Sequence, residues 1–308
     1  MKKISFLYIV IASVLWGTSG IFFNILEPYG FTPLQMTAMR GTVAAVTMCV
    51  FVLFYNRKLF KVKIKELIIF AASGLCVFGT ASCYFSSINE ASVSTAVILM
   101  YTAPIFVVVY SVLFLGEKLN LPKIISIILV ILGCALVSGV IGGMEFSAMG
   151  IVFGLASGIC YSAYNILTRV EMMHGCNSVS ATLYSFIFMG MAALAASKPA
   201  AMLPIIAAEP VKMILLIIAI GICTCVLPYF FYTLALRDIP AGTASAMGII
   251  EPMAATLFSV IFFDEKLSIF SAVGIVLILA AVVMLGRNES KNAHGLRHAA
   301  ADDESIGS

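Results

Sequence analysis

Apolar runs broken by short polar or Gly/Pro punctuation fill nearly the whole chain. Each is roughly 20 residues long, enough to cross a hydrocarbon layer of about 30 Å as a helix. They lie at 5–26, 33–55, 66–86, 92–115, 122–141, 149–168, 179–197, 211–236, 241–263 and 268–286. The pattern predicts an all-α integral membrane protein with ten transmembrane helices in the lipid bilayer. The first run follows Lys2 and Lys3, as the core of a signal peptide would. It outruns the usual core of about 7–15 residues and shows no A-x-A-like cleavage site, so it reads as helix 1.

Composition agrees with the pattern. The chain is 62% hydrophobic and 11% charged, against about 25% charged in a soluble domain. Mean hydropathy is +1.09. Most of the eight cysteines fall inside predicted helices, where they behave as small apolar side chains. Cys223-x-Cys225 has neither nearby His ligands nor a second Cys pair, so no metal site is expected, and no cofactor or nucleic-acid partner either.

The placement of charge gives the threading. With the N-terminus inside, cytoplasmic segments hold Lys2, Lys3, Arg57, Lys58, Lys61, Lys63, Lys65, Lys118, Lys123, Arg169, Arg237, Arg287, Lys291 and Arg297. The other side keeps Lys198, Lys212 and Lys266. Fourteen against three is a positive-inside bias that puts both termini in the cytoplasm and requires an even number of spans. Only Arg40 is left unassigned, because it lies inside helix 2. The polar segment 287–308 reads as a disordered cytoplasmic tail.

The chain also repeats itself. "LFLGEKL" (113–119) returns as "IFFDEKL" (261–267), at an offset of 148. At that offset Tyr84 matches Tyr232, Thr95 matches Thr243, Pro104 matches Pro252 and Ser111 matches Ser259. Earlier in each half the offset slips to about 144–145, pairing "SVLWGTSG" (13–20) loosely with "SGICYSAYN" (157–165). Residues 4–141 and 148–286 are thus two units of five helices each. Five is odd, so the units are inverted, and such repeats place a substrate site near the midplane where the halves meet.

These residues resemble a known family. "LWG" at 15–17, Arg40 near the start of helix 2, and a Pro followed about a dozen residues later by Gly/Asp-Glu-Lys-Leu in each half are similar to the EamA-type drug/metabolite transporters. The resemblance covers about residues 4–286, in both halves and in order. It implies a cell-membrane transporter or permease for a small-molecule substrate, amino acids or related metabolites among them. One departure is Cys160-Tyr161, where many relatives carry Trp.

Glu251 is the residue that most invites a functional role. It lies about ten residues from either end of helix 9, roughly 15 Å from each interface. An ionised carboxylate there costs about 2.5–3.5 kcal/mol, and taking up a proton removes that cost. Its repeat mate is Ala103, so only one half carries the acid. Pro252 cannot donate to the carbonyl of Gly248, which leaves that oxygen free to face a cavity. Pro104 and Pro252 are the expected helix kinks, and Gly248 opens the second. The alternative is a packing role, because Ala244, Gly248, Ala255 and Ser259 give the same face the look of a close helix contact.

Arg40 is the other buried charge, roughly 12 Å deep against roughly 18 Å for Glu251, so a pair is geometrically open, as is snorkelling of the arginine. Trp16, Tyr84, Tyr101, Tyr164, Asn165 and Tyr232 bring polar tips to the walls of the expected cavity. Together with Arg40 and Glu251 they form the candidate substrate-binding set, with protons as a second cargo. Each aromatic has packing as its alternative. Glu117-Lys118 and Glu265-Lys266 read as helix ends.

An intramembrane enzyme would need a nucleophile–base pair, a metal cluster or two acids in one cavity. His174, His294 and His298 all lie outside the spans, and Glu251 is the only acid expected at mid-membrane depth. A passive facilitator of the same fold shares every feature above.

Overall fold

The computed structural model describes residues 2–103, 105–106, 109–110, 120–137, 147–235, 250–264, 267–270, 272–281 and 283–284. Regular structure among them is helical. In chain order the helices are α1 (Lys2–Gly17), α2 (Ser19–Leu26), α3 (Pro33–Tyr55), α4 (Ile64–Glu90), α5 (Val93–Met100), α6 (Leu121–Val137), α7 (Ala148–Met173), α8 (Ser178–Ser197), α9 (Leu203–Ala208), α10 (Pro210–Gly221), α11 (Leu227–Ala235) and α12 (Ile250–Phe263). A last apolar helix, α13, covers Ala272–Ala281.

Local chemistry starts several of the helices where the polar punctuation stands. Thr32 and Gln35 close a capping box on α3 with Pro33 in its first turn. Ser92 accepts from the Thr95 amide at the head of α5, and Asn177 accepts from Val179 and Ser180 at the head of α8. The amides that a helix cannot satisfy internally are thereby paired.

Six helical segments are long and apolar enough to cross a membrane: Ile4–Tyr29, Pro33–Tyr55, Ile64–Glu90, Ala148–Thr168, Ser178–Ser197 and Pro210–Tyr232. The apolar helices α6, α12 and α13 are shorter among the described residues, and the expected fourth, fifth, ninth and tenth spans run partly outside them. Pro104, Gly248, Glu117, Lys118, Glu265, Lys266 and the segment 287–308 also lie outside the described residues.

Three spans depart from the unbroken helices that hydropathy suggests. The first pauses at Thr18, whose hydroxyl donates to Leu15 O at 2.6 Å while Ser19 Oγ donates to Trp16 O at 2.8 Å. Such back-bonding bends helices. The fourth stops at Met100 and turns through Tyr101 and Thr102. Pro104 has no amide for the Met100 carbonyl, which explains a break there. The eighth passes through a π-helical segment, Ile222–Val226, between α10 and α11.

Packing across the two halves comes in matched couples. α4 packs on α7, and α1 packs on α11. α5 meets α7, and α1 meets α12; α4 meets α8, and α3 meets α10. Exchanging the halves in repeat order turns each member of a couple into the other. α3 on α8 and α5 on α12 are their own images. At the α3–α8 contact a methyl group on Gly41 would lie 3.2 Å from Gly190 Cα, so backbone meets backbone. The largest buried apolar cluster includes Leu26, Met36, Phe85, Val97, Met202 and Met213, mostly towards the end of the bundle that carries 27–32 and 198–209.

Candidate functional site

The α5 break aims a polar group at Glu251. Tyr101 stands at the turn, 8% exposed, and its hydroxyl donates to Glu251 Oε2 at 2.7 Å. Further along the same pair of helices Ser94 Oγ and Ser259 Oγ are 3.2 Å apart. The contacts run 94 to 259 and 101 to 251, so α5 and α12 are antiparallel. Two residues past Tyr101 is Ala103, the repeat mate of Glu251, itself buried. The carboxyl group therefore lies where the two matched helices cross. Gly17 brings α1 flush against the same turn of α12: a methyl there would lie 3.0 Å from Ala254 Cβ and 3.3 Å from Glu251 O.

Around this pair stands an aromatic wall drawn from both halves. Trp16 meets Tyr229 edge-on, with centroids 5.4 Å apart, and lies 5.6 Å from Tyr232. Tyr229 is in turn edge-on to Phe186 at 5.2 Å. Tyr161 is within electrostatic reach of Glu251, Tyr232 and Tyr164, and Tyr164 is within hydrogen-bonding reach of Tyr229. Asn165 is exposed and in hydrogen-bonding reach of the Tyr161 hydroxyl. Edge-on rings leave their faces and hydroxyls available to a third partner.

Arg40 occupies a separate niche beside this wall. Its Nε donates to Cys225 Sγ at 3.2 Å and its Nη2 to Thr224 O at 3.2 Å. The guanidinium lies 5.6 Å from the Phe85 ring centroid, and Phe85 stacks on Phe23 at 5.9 Å and packs against Tyr84. The acceptor has a local origin. Pro228 has no amide to give the carbonyl four residues back, which is that of Thr224. The π-helical turn sits at this point, as such turns often do at functional sites. Arg40 and Glu251 remain within electrostatic reach without a direct ion pair. The guanidinium is committed to the eighth span instead.

Of the sequence-derived set, Trp16, Tyr101, Tyr164, Tyr232 and Glu251 are brought together. Tyr84 belongs to the Arg40 niche, where it is buried in the apolar cluster. Pro252 is helical in α12. Two wall residues had not been selected: Tyr161, which stands in the repeat near the place of Trp16, and Tyr229. A third omission is a buried acid just past the end of the Ala148–Thr168 span, outside the mid-membrane depth at which Glu251 alone was expected. α7 continues to Met173, five residues past the predicted end, and carries Glu171, 1% exposed, with Ser73 Oγ donating to its Oε1.

The comparisons with known proteins agree with this architecture. The profile of the EamA-like transporter family matches residues 3–139 and again 148–287. The chain belongs to that family. It is 26% identical over 286 residues to an uncharacterized transporter of Archaeoglobus fulgidus, covering 91% of this chain and 95% of that one. It is 24% identical over 287 residues to the uncharacterized transporter YwfM of Bacillus subtilis, covering 91% and 92%. A solved crystal structure shares the fold with a TM-score of 0.60 at 19% identity, over 94% of this chain and 99% of that one. Family and apolar helices together make this a multi-pass membrane transporter with a small-molecule substrate.

Proposed function

We propose that the protein is a secondary transporter that moves a small organic metabolite, such as an amino acid or a related compound, across the cell membrane by alternating access. Ten helices in two inverted five-helix units, with both termini and the 287–308 tail in the cytoplasm, form the frame. Two features support that frame: the family profile matches each half separately, and the packing couples exchange with the halves. A structure whose contacts are their own images under exchange has a second arrangement of similar energy, in which the halves rock against each other.

The observation that carries the functional reading is the Tyr101–Glu251 hydrogen bond at the crossing of the matched helices. An ionised carboxylate at that depth costs about 2.5–3.5 kcal/mol. Protonation removes this cost, so loading and unloading of one proton biases the rocking. Trp16, Tyr161, Tyr164, Tyr229 and Tyr232 offer rings and hydroxyls to the substrate, and Arg40 supplies a fixed positive potential beside them.

The test has two stages. Thermal stabilisation of the purified chain by amino acids, sugars, nucleosides and cationic drugs identifies a solute that binds. Counterflow of that solute in proteoliposomes is then measured with and without a pH gradient. Acceleration by the gradient is the expected result; transport indifferent to it defines a passive facilitator and rejects the coupling.

A further inference from the structure

Five polar positions of α7 fall on one line. Ser157, Tyr161, Tyr164, Thr168 and Glu171 follow one another at spacings of three and four, which places them on one stripe of a helix. Ser162, Asn165 and Arg169 of the same helix lie off this stripe. From Tyr161 to Glu171 the stripe is about 15 Å long. Its inner end lies within electrostatic reach of Glu251, and Tyr164 lies within reach of both Tyr161 and Glu171. Between Tyr164 and Glu171, the Thr168 hydroxyl is buried within hydrogen-bonding reach of Tyr164, but without a bond of full hydrogen-bond geometry. A buried polar atom of this kind is the usual seat of an internal water.

We propose that this stripe is the route by which protons reach Glu251 from the lysine-rich end of the bundle, and that Glu171 is the carboxyl group that loads it. The proposal rests on the coupling role given to Glu251 above. Glu171 accepts from Ser73 of α4 across the α4–α7 contact and is 1% exposed. On its own helix it faces Tyr164. From the following turn it meets Cys176, which also senses Glu66 and Lys63 at the start of α4, while His174 of that turn is exposed. From α8, Tyr184 packs in the cluster that holds Cys176, with its hydroxyl given to Phe60 O. Among the described residues no cation pairs with Glu171. Burial accordingly holds its carboxyl above the ordinary range, with the Ser73 bond opposing. A proton leaves the Glu171 carboxyl for a water at Thr168. Each tyrosine hydroxyl accepts one proton on oxygen and releases its own onwards, and the last step protonates the Glu251 carboxylate. Charge and protons balance, and the tyrosines end neutral.

The experiment follows the Glu251 carboxyl directly, by its infrared C=O band after a pH jump imposed on vesicles containing the full-length protein. The band is assigned by its loss in Glu251→Gln. Glu171→Gln keeps the side chain's size and its acceptor for Ser73. It is expected to slow protonation of Glu251 roughly 100-fold, the scale of a lost proton-transfer group, with an unchanged titration midpoint. Tyr164→Phe should also slow it, and Glu171→Asp should restore part of the rate. A wild-type band that titrates at a rate unaltered in both Glu171→Gln and Tyr164→Phe overturns the route while leaving the coupling role of Glu251 intact. A band that never titrates removes both.

Discussion

Arg40 and Pro228 should be energetically coupled, although one is in the third helix and the other in the eleventh. Arg40→Met takes away the charged donor to Thr224 O, which lies 3.2 Å from Nη2. Leaving a buried acceptor without its donor costs about 1–3 kcal/mol. Losing the guanidinium over Phe85, 5.6 Å away, adds about 0.5–2 kcal/mol. Against this, an apolar side chain is spared the desolvation of a buried cation, an effect of several kcal/mol. The sign of the single variant therefore decides nothing, but the cycle with Pro228→Ala does. Alanine restores the amide that a helix offers to the carbonyl four residues back, so Thr224 O no longer depends on Arg40. The Arg40→Met penalty should fall by about 1 kcal/mol in the Pro228→Ala background, the net value of one hydrogen bond. Unfolding of the four proteins in detergent, by denaturant or heat, measures that difference. Additivity to within about 0.3 kcal/mol would show that Arg40 does not substitute for the missing amide.

Two further predictions concern packing and pH. Gly74→Ala would place a methyl group 2.6 Å from Ser185 O and 2.7 Å from Phe188 Cβ. Because backbone cannot yield cheaply, a loss of about 3 kcal/mol in detergent stability is expected, and an unchanged melting temperature would contradict the α4–α8 contact. For Glu171, burial raises the folded-state carboxyl above its ordinary value of 4.5. The folded protein then binds the proton more tightly than the unfolded chain, so stability falls as pH rises from that value through the raised one. Glu171→Gln should flatten this part of a stability–pH profile; an identical slope in both proteins would refute the assignment.

How much of this could be read from the sequence differs from element to element. The span at 33–55 coincides with α3 because Thr32, Pro33 and Asn56 mark its ends chemically. The span at 179–197 is within a residue of α8 for the same reason, with Asn177 capping its head, and the span at 211–236 begins one residue after α10 does. The turn at Tyr101–Thr102 was foreshadowed by Pro104, but not the contact it creates, since Tyr101 and Glu251 are 150 residues apart. The π-helical turn at 222–226 has no hydropathy signature; Pro228 was its one sign. Glu171 was missed because an acid after the last apolar residue looks like a solvated loop. Only the approach of α4, with Ser73 facing it, makes it interior. Tyr161 and Tyr229 were hidden among aromatics with equal claims, because hydropathy does not say which face of a helix meets the other half.

The central claim is that the single carboxyl group at the crossing of α5 and α12 links transport to protons, and Glu251→Gln tests it most directly. Glutamine keeps the size of the side chain and an acceptor for the Tyr101 hydroxyl, so the folded protein should survive. Glu251→Ala should cost more, because it removes the acceptor that the Tyr101 hydroxyl donates to, an effect of about 1–3 kcal/mol. The measurement is flux of the stabilising solute across proteoliposomes over a pH series, in wild-type and Glu251→Gln protein. The expected result is a pH-dependent rate in the wild type and a flat profile in the variant. An unchanged profile and rate in Glu251→Gln would make Glu251 a packing residue and contradict the account.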